Sequence, residues 1–263
     1  VKAEQMADYV TKLSRPTELS KSLNIHPDPW QAEFMDTDNE RIILCCGRQV
    51  GKSTAVAMRV LHRMFTPGSL VLIVSPTERQ SKLLFATVKH FASQIEGMPG
   101  STEDTKLSLM LDNGSNVVAL PGTEKNIRGF AALDTLVVDE AARVEDALYM
   151  AAEPMVAISR GTVILLSTPF GKRGFFWEVW DKGTSWSKHH ITAYDCPRYD
   201  RKYLDGKKEM MPDLWFRQEY MAEFVDAENQ LFSLDDIQAA FRRTVKPLDF
   251  GDVKTSGVKP LEV

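Results

Sequence analysis

Residues 42–46 form a short apolar run. The chain then reads Gly47-Arg48-Gln49-Val50-Gly51-Lys52-Ser53 and settles into helical periodicity through residue 65. A buried strand, a glycine-bearing turn and a helix that opens on Lys-Ser make a loop whose backbone N–H groups converge on one point, beside the positive end of a helix dipole. Such a concavity suits phosphate oxygens. Lys52 would reach the β and γ phosphates, and the Ser53 hydroxyl would coordinate Mg²⁺. Gly47, Arg48, Gln49, Val50, Gly51, Lys52, Ser53 and Thr54 are the candidate ATP-binding positions from this stretch. The usual pattern carries glycine where Cys46 stands, with Gly47 arriving one place late. The competing reading is a chance Gly-Lys-Ser at a helix start, so a second element is needed to decide.

That element is Leu133-Asp134-Thr135-Leu136-Val137-Val138-Asp139-Glu140, an apolar run closed by two acids. On a strand, neighbouring side chains point to opposite faces, but a strand end can splay both toward one site. Asp139 is then the Mg²⁺ ligand with Ser53, and Glu140 the general base that polarises the attacking water. A third element, Ser167-Thr168-Pro169, closes the run 162–167. Hydroxyls at the carboxyl end of a central strand lie where open α/β sheets bind ligands. They are positioned either to sense the γ-phosphate or simply to end the strand in a turn.

The rest of the chain agrees with this frame. Apolar runs at 42–46, 70–75, 135–139 and 162–167 alternate with helical stretches at 53–65 and 78–95. Continuous apolar runs predict strands buried on both faces, and the alternation predicts βαβ units in a mostly parallel sheet. Asp112-Asn113-Gly114-Ser115 between apolar runs predicts a hairpin. Weak amphipathic helices are expected at 2–14 and 17–23, and a further helix at about 29–36. The expected fold is α/β, a P-loop NTPase. Residues 1–173 are expected to form its core with an N-terminal helical extension. Residues 174–250 are expected to form a helical lid or linker subdomain with one strand near 188–192, and 251–263 a tail.

Taken in order, Trp30-Gln31, Gly47 through Ser53, Val138-Asp139-Glu140-Ala141-Ala142 and Ser167-Thr168-Pro169 resemble the ATPase domain of bacteriophage terminase large subunits. Leu214-Trp215-Phe216-Arg217-Gln218-Glu219-Tyr220 with Ala222-Glu223-Phe224 adds to the likeness, which spans roughly residues 28–233. The resemblance implies an ASCE-type ATPase that uses ATP and Mg²⁺ to pump double-stranded DNA into a preformed capsid. It also implies assembly with itself as a ring, a pentamer, on the portal protein, together with a small terminase subunit, in the cytoplasm of an infected bacterial host. By the same likeness Gln31 reads the adenine edge, and Ser167, Thr168 and Pro169 couple hydrolysis to movement. Arg128 resembles an arginine that reaches into a neighbour's site; otherwise it is a solvated loop residue. Arg48 either contacts the γ-phosphate or pairs with a nearby acid and braces the loop. The catalytic set is thus Glu140, Lys52, Arg48 and Arg128. Terminase large subunits carry an RNase H-like nuclease domain after the ATPase; residues 251–263 are the tail or the start of that domain, and nuclease activity is not expected from this chain.

Composition removes several alternatives. A formal net charge of -4 argues against a surface that wraps nucleic acid throughout, leaving local patches such as Gly171-Lys172-Arg173-Gly174. Three cysteines, Cys45, Cys46 and Cys196, show no metal-ligand spacing, which favours a reducing compartment. No apolar run is long enough to span a membrane. His189 and His190 are adjacent, so on a strand they face opposite ways and are not expected as ligands. The aromatic run from Phe175 to Trp180 reads as core or as a base-stacking surface. Two rival functions stay open at this level: a helicase-like nucleic-acid-remodelling ATPase, suggested by Ser75-Pro76-Thr77, and an ATP-binding assembly module that does not hydrolyse.

Overall fold

The computed structural model describes residues 14–122, 127 and 129–225. Its centre is an eight-stranded sheet in the order β3-β4-β5-β2-β6-β7-β1-β8. The strands are β1 (Arg41–Cys46), β2 (Leu70–Ser75), β3 (Ser101–Asp104), β4 (Ser108–Leu111), β5 (Asn116–Pro121), β6 (Thr135–Asp139), β7 (Thr162–Ser167) and β8 (Ser187–Ile191). All neighbours from β5 to β8 pair in parallel, and only the β3–β4–β5 end is antiparallel. The helices are α1 (Pro16–Ser22), α2 (Pro29–Asp36), α3 (Lys52–Arg63), α4 (Glu78–Ala92), α5 (Asp146–Ala152), α6 (Gly174–Lys182), α7 (Arg201–Met210) and α8 (Asp213–Glu219).

The apolar runs become central strands because helices cover both faces. Ile42, Leu44 and Cys46 of β1 join one core with Val71, Ile73, Val137, Ile164 and Leu166, against α3 and α4. Ile43 and Cys45 point the other way, into a second core with Leu72, Val74, Leu136 and Val138, against α5 and α6. The period-two alternation therefore sorts one apolar run into two cores. Thr77 caps α4, its side chain accepting from the Gln80 N–H, where a Ser-Pro-Thr turn stops β2.

The hairpin predicted from Asp112-Asn113-Gly114-Ser115 joins β4 to β5, and Gly114 takes φ 79° at its turn. Strand β3 was not expected. Its four residues are polar and exposed, so no apolar alternation marks them. The strand expected near 188–192 is β8, which extends the sheet in parallel beside β1. Residues 174–225 thus supply three helices and an edge strand to the same sheet whose centre carries the phosphate loop. The expected helix at 2–14 lies almost wholly outside the described residues, and the stretch 226–263 entirely so.

Candidate active site

Strand β7 lies between β1 and β6 in the sheet. That order brings the carboxyl ends of three strands together: the loop after β1, the Asp139-Glu140 pair at the end of β6, and Ser167-Thr168 at the end of β7. Register makes the match, with Leu44 level with Leu166 and Leu166 level with Asp139. Residues far apart in sequence therefore converge by sheet geometry alone.

The loop after β1 turns on Gln49 (φ 54°) and Gly51 (φ 94°), and α3 begins at Lys52 with Gly51 as its N-cap. Ser53 and Thr54 sit in the first turn of α3, where backbone N–H groups have no intrahelical partner. The late glycine has a physical explanation. Cys46 is still a strand residue, fully buried and level with Ile191 of β8. Burial pushes its thiol up to about 12, so it behaves as a small apolar group. The tight position is Gly47, where an added Cβ would stand 2.8 Å from the Tyr220 carbonyl oxygen.

Lys52 Nζ lies 3.7 Å from Glu140 Oε1 and 3.4 Å from Thr168 Oγ1. Glu140 takes a left-handed backbone, φ 50° and ψ 42°, as the chain leaves β6. This conformation costs a non-glycine residue free energy and turns its carboxylate out of the strand alternation, toward Lys52. Its amide donates to Asp139 Oδ1 at 3.0 Å. Asp139 is 7% exposed. Burial, and then the neighbouring Glu140 charge, raise its pKa to about 7, while Lys52 pulls the other way. Ser167 is fully buried and donates to the Thr168 carbonyl at 2.7 Å, with Glu140 Oε2 farther off at 3.5 Å. Pro169 follows, also buried.

On its other side the loop is held by residues distant in sequence. Gly47 N–H donates to the Ile191 carbonyl at 2.7 Å, and Arg48 N–H to the Glu219 carbonyl at 2.8 Å. The Tyr199 hydroxyl donates to the Arg48 carbonyl at 3.0 Å. Arg198 bridges Asp28 Oδ1 and the Val50 carbonyl, each at 2.8 Å. Gln31 Nε2 donates to the Gly51 carbonyl at 3.0 Å, and its Oε1 accepts from the Asp28 N–H at 2.8 Å. Of the two roles the sequence leaves Arg48, the structure displays the acid partner: its guanidinium is ion-paired with Glu219, a side chain only 7% exposed. The hydrogen bond to Glu219 raises the Arg48 pKa further, against the opposing effect of burial.

Arg128 lies outside the described residues. Arg143, Arg198 and Tyr199 also border the site, and no local motif marks them in the sequence. Glu219 lies inside the Phe-Arg-Gln-Glu-Tyr segment that sequence reading did single out, although its partner did not follow from it. Phe175 and Phe176 are buried, and Phe175 stacks on Tyr149 with ring centroids 4.2 Å apart, which is the core reading of that aromatic run. His189 is buried and His190 exposed, as adjacent strand residues should be. Among the described residues no group of three His, Cys, Asp or Glu is arranged to hold a metal by itself. A Mg²⁺ bound through one hydroxyl, one carboxylate and phosphate oxygens needs none. A buried carboxylate pushed toward neutrality, as Asp139 is, fits a place that a divalent cation would stabilise. No helix among the described residues is long and apolar enough to cross a membrane.

A family profile described as the N-terminal part of the terminase large subunit, T4-like-virus type, matches residues 43–239. The terminase large subunit of Thermus phage G20c is 28% identical over 249 residues, covering 80% of this chain and 51% of the relative. That of Escherichia phage T5 is 24% identical over 205 residues, covering 75% and 47%. The chain spans about half the length of the curated relatives it matches. Among solved structures, the large terminase ATPase domain of Thermus phage P74-26 superposes with a TM-score of 0.69 at 26% identity, covering 80% of this chain and 99% of that one. The large terminase of bacteriophage HK97, at 17% identity and a TM-score of 0.62, covers 76% of this chain and 51% of that one and shares the fold.

Proposed function

This chain belongs to the N-terminal family of terminase large subunits of the T4-like-virus type, and from that membership we propose that it is an ATP-hydrolysing motor domain that drives double-stranded DNA into a preformed capsid. The observation that carries the reading is the convergence on Lys52: its ammonium lies within 3.7 Å of Glu140 and 3.4 Å of Thr168, uniting three motifs at one corner of the sheet. The similar P74-26 domain is named an ATPase domain, which supports the same reading.

ATP would bind with its phosphates over the turn at 47–51 and the N-terminus of α3. Lys52 would bind β- and γ-phosphate oxygens. Ser53 and Asp139 would hold Mg²⁺, which when bound neutralises charge developing on the transferring phosphoryl group. Glu140 would orient the attacking water and accept its proton. Gln31, hydrogen-bonded to the Gly51 carbonyl, would present its amide to the adenine edge. Arg48 is the cation for which the γ-phosphate and Glu219 would compete. Ser167, Thr168 and Pro169 would transmit the state of the phosphates along the end of β7. Arg128 would complete a neighbour's site in a pentameric ring on the portal protein, with the small terminase subunit delivering DNA, all in the host cytoplasm. DNA would be gripped through its phosphates without base readout.

The test is steady-state ATP hydrolysis by wild type, Lys52→Ala and Glu140→Gln across a protein-concentration series. Turnover by wild type that both variants abolish, with specific activity rising with concentration, is the expected result. Rapid turnover that survives Glu140→Gln would sink the catalytic assignment. Tight ATP binding with no turnover in a complete packaging assembly would favour an assembly module instead.

A further inference from the structure

Arg143 is three places beyond the Asp139-Glu140 pair, on a short 3-10 turn at Ala141–Arg143, and no motif marks it. Its backbone N–H donates to the Glu140 carbonyl at 2.8 Å, which closes the turn. The same turn swings its guanidinium back so that Nη1 lies 3.5 Å from Glu140 Oε2. Lys52 faces the other carboxylate oxygen, Oε1, at 3.7 Å. One carboxylate thus stands between two cations, one on each oxygen. The Arg143 guanidinium is itself held: its central carbon lies 4.6 Å from the ring centroid of Phe170, the residue that follows Ser167-Thr168-Pro169. Cation–π contact fixes a planar guanidinium better than it would a flexible ammonium.

The two cations have different prospects when nucleotide binds. Lys52 belongs to the phosphate loop, so phosphate oxygens draw it away from Glu140. The carboxylate then faces the γ-phosphate, another anion, with less countercharge beside it. Arg143 does not belong to the loop, and its anchors, the Phe170 ring that it shares with Arg173 and the 3-10 turn, lie outside it. We propose that Arg143 is a positioning residue that supplies the standing countercharge of Glu140, and so allows the carboxylate to remain beside a γ-phosphate after Lys52 has moved to the nucleotide. This rests on the functional reading above and adds to it a selectivity: Arg143 should matter to nucleoside triphosphate and not to diphosphate, because only the triphosphate brings the third phosphoryl group up to Glu140.

Binding without turnover tests it, using fluorescent (mant) AMP-PNP and mant-ADP with Mg²⁺ in a two-by-two cycle of Arg143→Ala and Glu140→Gln. The expected result is that Arg143→Ala weakens AMP-PNP binding on the order of tenfold while ADP stays within about twofold. The loss should vanish in the Glu140→Gln background, where there is no charge to compensate. Arg143→Lys should recover part of it, and Phe170→Leu should show a smaller loss in the same direction. Thermal melts of each variant establish that it is folded, and Arg143→Lys carries the test if the alanine variant is not. Equal loss of both nucleotides, or a loss that persists with Glu140→Gln, would overturn the proposal and mark Arg143 as a direct ligand or a fold residue. If instead the binding cycle holds while Glu140→Gln leaves wild-type turnover intact, the catalytic reading fails and the electrostatic one stands.

Discussion

The phosphate loop is bordered by two regions built on different principles. On one side stand Lys52, Asp139, Glu140, Ser167 and Thr168, gathered by adjacent strand ends. Their charged contacts are long, 3.4 to 3.7 Å, and one of them sits on a left-handed backbone. On the other side Ile191, Arg198, Tyr199 and Glu219 grip the loop's backbone through hydrogen bonds of 2.7 to 3.0 Å. The first region is arranged by the sheet and held by charge. The second is a strap, held by short directional bonds between distant parts of the chain. Long-range charge can be redistributed at little cost, whereas a short backbone hydrogen bond must be broken outright. Chemistry therefore belongs on the first side and loop geometry on the second, and substitutions should separate the two.

The sharpest separation is between turnover and stability. Glu140→Gln should lower turnover by about 10²–10⁴-fold, the usual contribution of a general base. Lys52→Ala should lower it by about 10²–10³-fold, as for loss of a charge-stabilising donor. Because the contacts on this side are long, neither should shift the melting temperature of the nucleotide-free chain by more than a few degrees. A large drop in melting temperature for Glu140→Gln would show that this side is structural too, and the contrast would collapse.

A pH experiment probes the same side through Asp139. Its pKa is raised to about 7, chiefly by burial, against ~3.9 in an unfolded chain. Between those values the folded state keeps a proton that the unfolded state has lost. The contribution of this group to stability is therefore full below about pH 4 and declines as pH rises to about 7, by no more than about 1.4 kcal/mol per pH unit. In metal-free buffer the melting temperature of wild type should fall relative to Asp139→Asn as pH goes from about 4.5 to about 7.5, the window those two pKa values bracket. A constant difference across that range would mean that Asp139 is not held neutral by the fold.

The strap side should behave the opposite way. Gly47→Ala must push its Cβ against the Tyr220 carbonyl, so a loss of about 1–3 kcal/mol is expected in denaturant unfolding. Arg48→Ala leaves the buried Glu219 carboxylate with Gln218, at 3.0 Å, as its side-chain partner. The expected loss is about 1 kcal/mol, because the Arg48 side chain is 60% exposed and water screens the pair. Adding Glu219→Gln should recover that stability. If the double variant regains stability but not turnover, Arg48 has a role toward the phosphates beyond bracing.

The contrast also explains what could be read from the sequence. The first side was legible because each motif is local and is joined to the others by strand order. Apolar runs ending in Cys46, Asp139 and Ser167 fix which residues reach the carboxyl edge. The glycine comes one place late because the apolar run, and β1 with it, extends through Cys46, so the first tight position of the turn is Gly47. The second side was legible only in outline: an acid partner for Arg48 was one of two readings open to it, but the sequence does not say which acid. Arg198 and Asp28 are 170 positions apart, and Arg48 and Glu219 are 171 apart. Asp28, Arg198 and Glu219 have no local feature that names their partners, and only the packing of α8 and the segment after β8 against the loop pairs them. Arg143 was missed for a different reason: a charged residue just past an acid pair looks solvated until the 3-10 turn folds it back.

Tyr199→Phe is the smallest change and the most discriminating one for the strap. It removes one hydroxyl donor, to the Arg48 carbonyl at 3.0 Å, and keeps the ring that stacks near Tyr203 and Tyr220. The freed carbonyl lies at an exposed position and can take water instead, so the cost to stability should be about 0.5 kcal/mol, the low end for a single hydrogen bond. If the strap only shapes the loop, KM and kcat for ATP should both stay within about twofold of wild type, since the remaining backbone bonds of Gly47 and Arg48 hold the turn. A change in kcat well beyond that, without a matching change in stability, would mean that the segment after β8 responds to the phosphates and that the two sides of the loop act as one device.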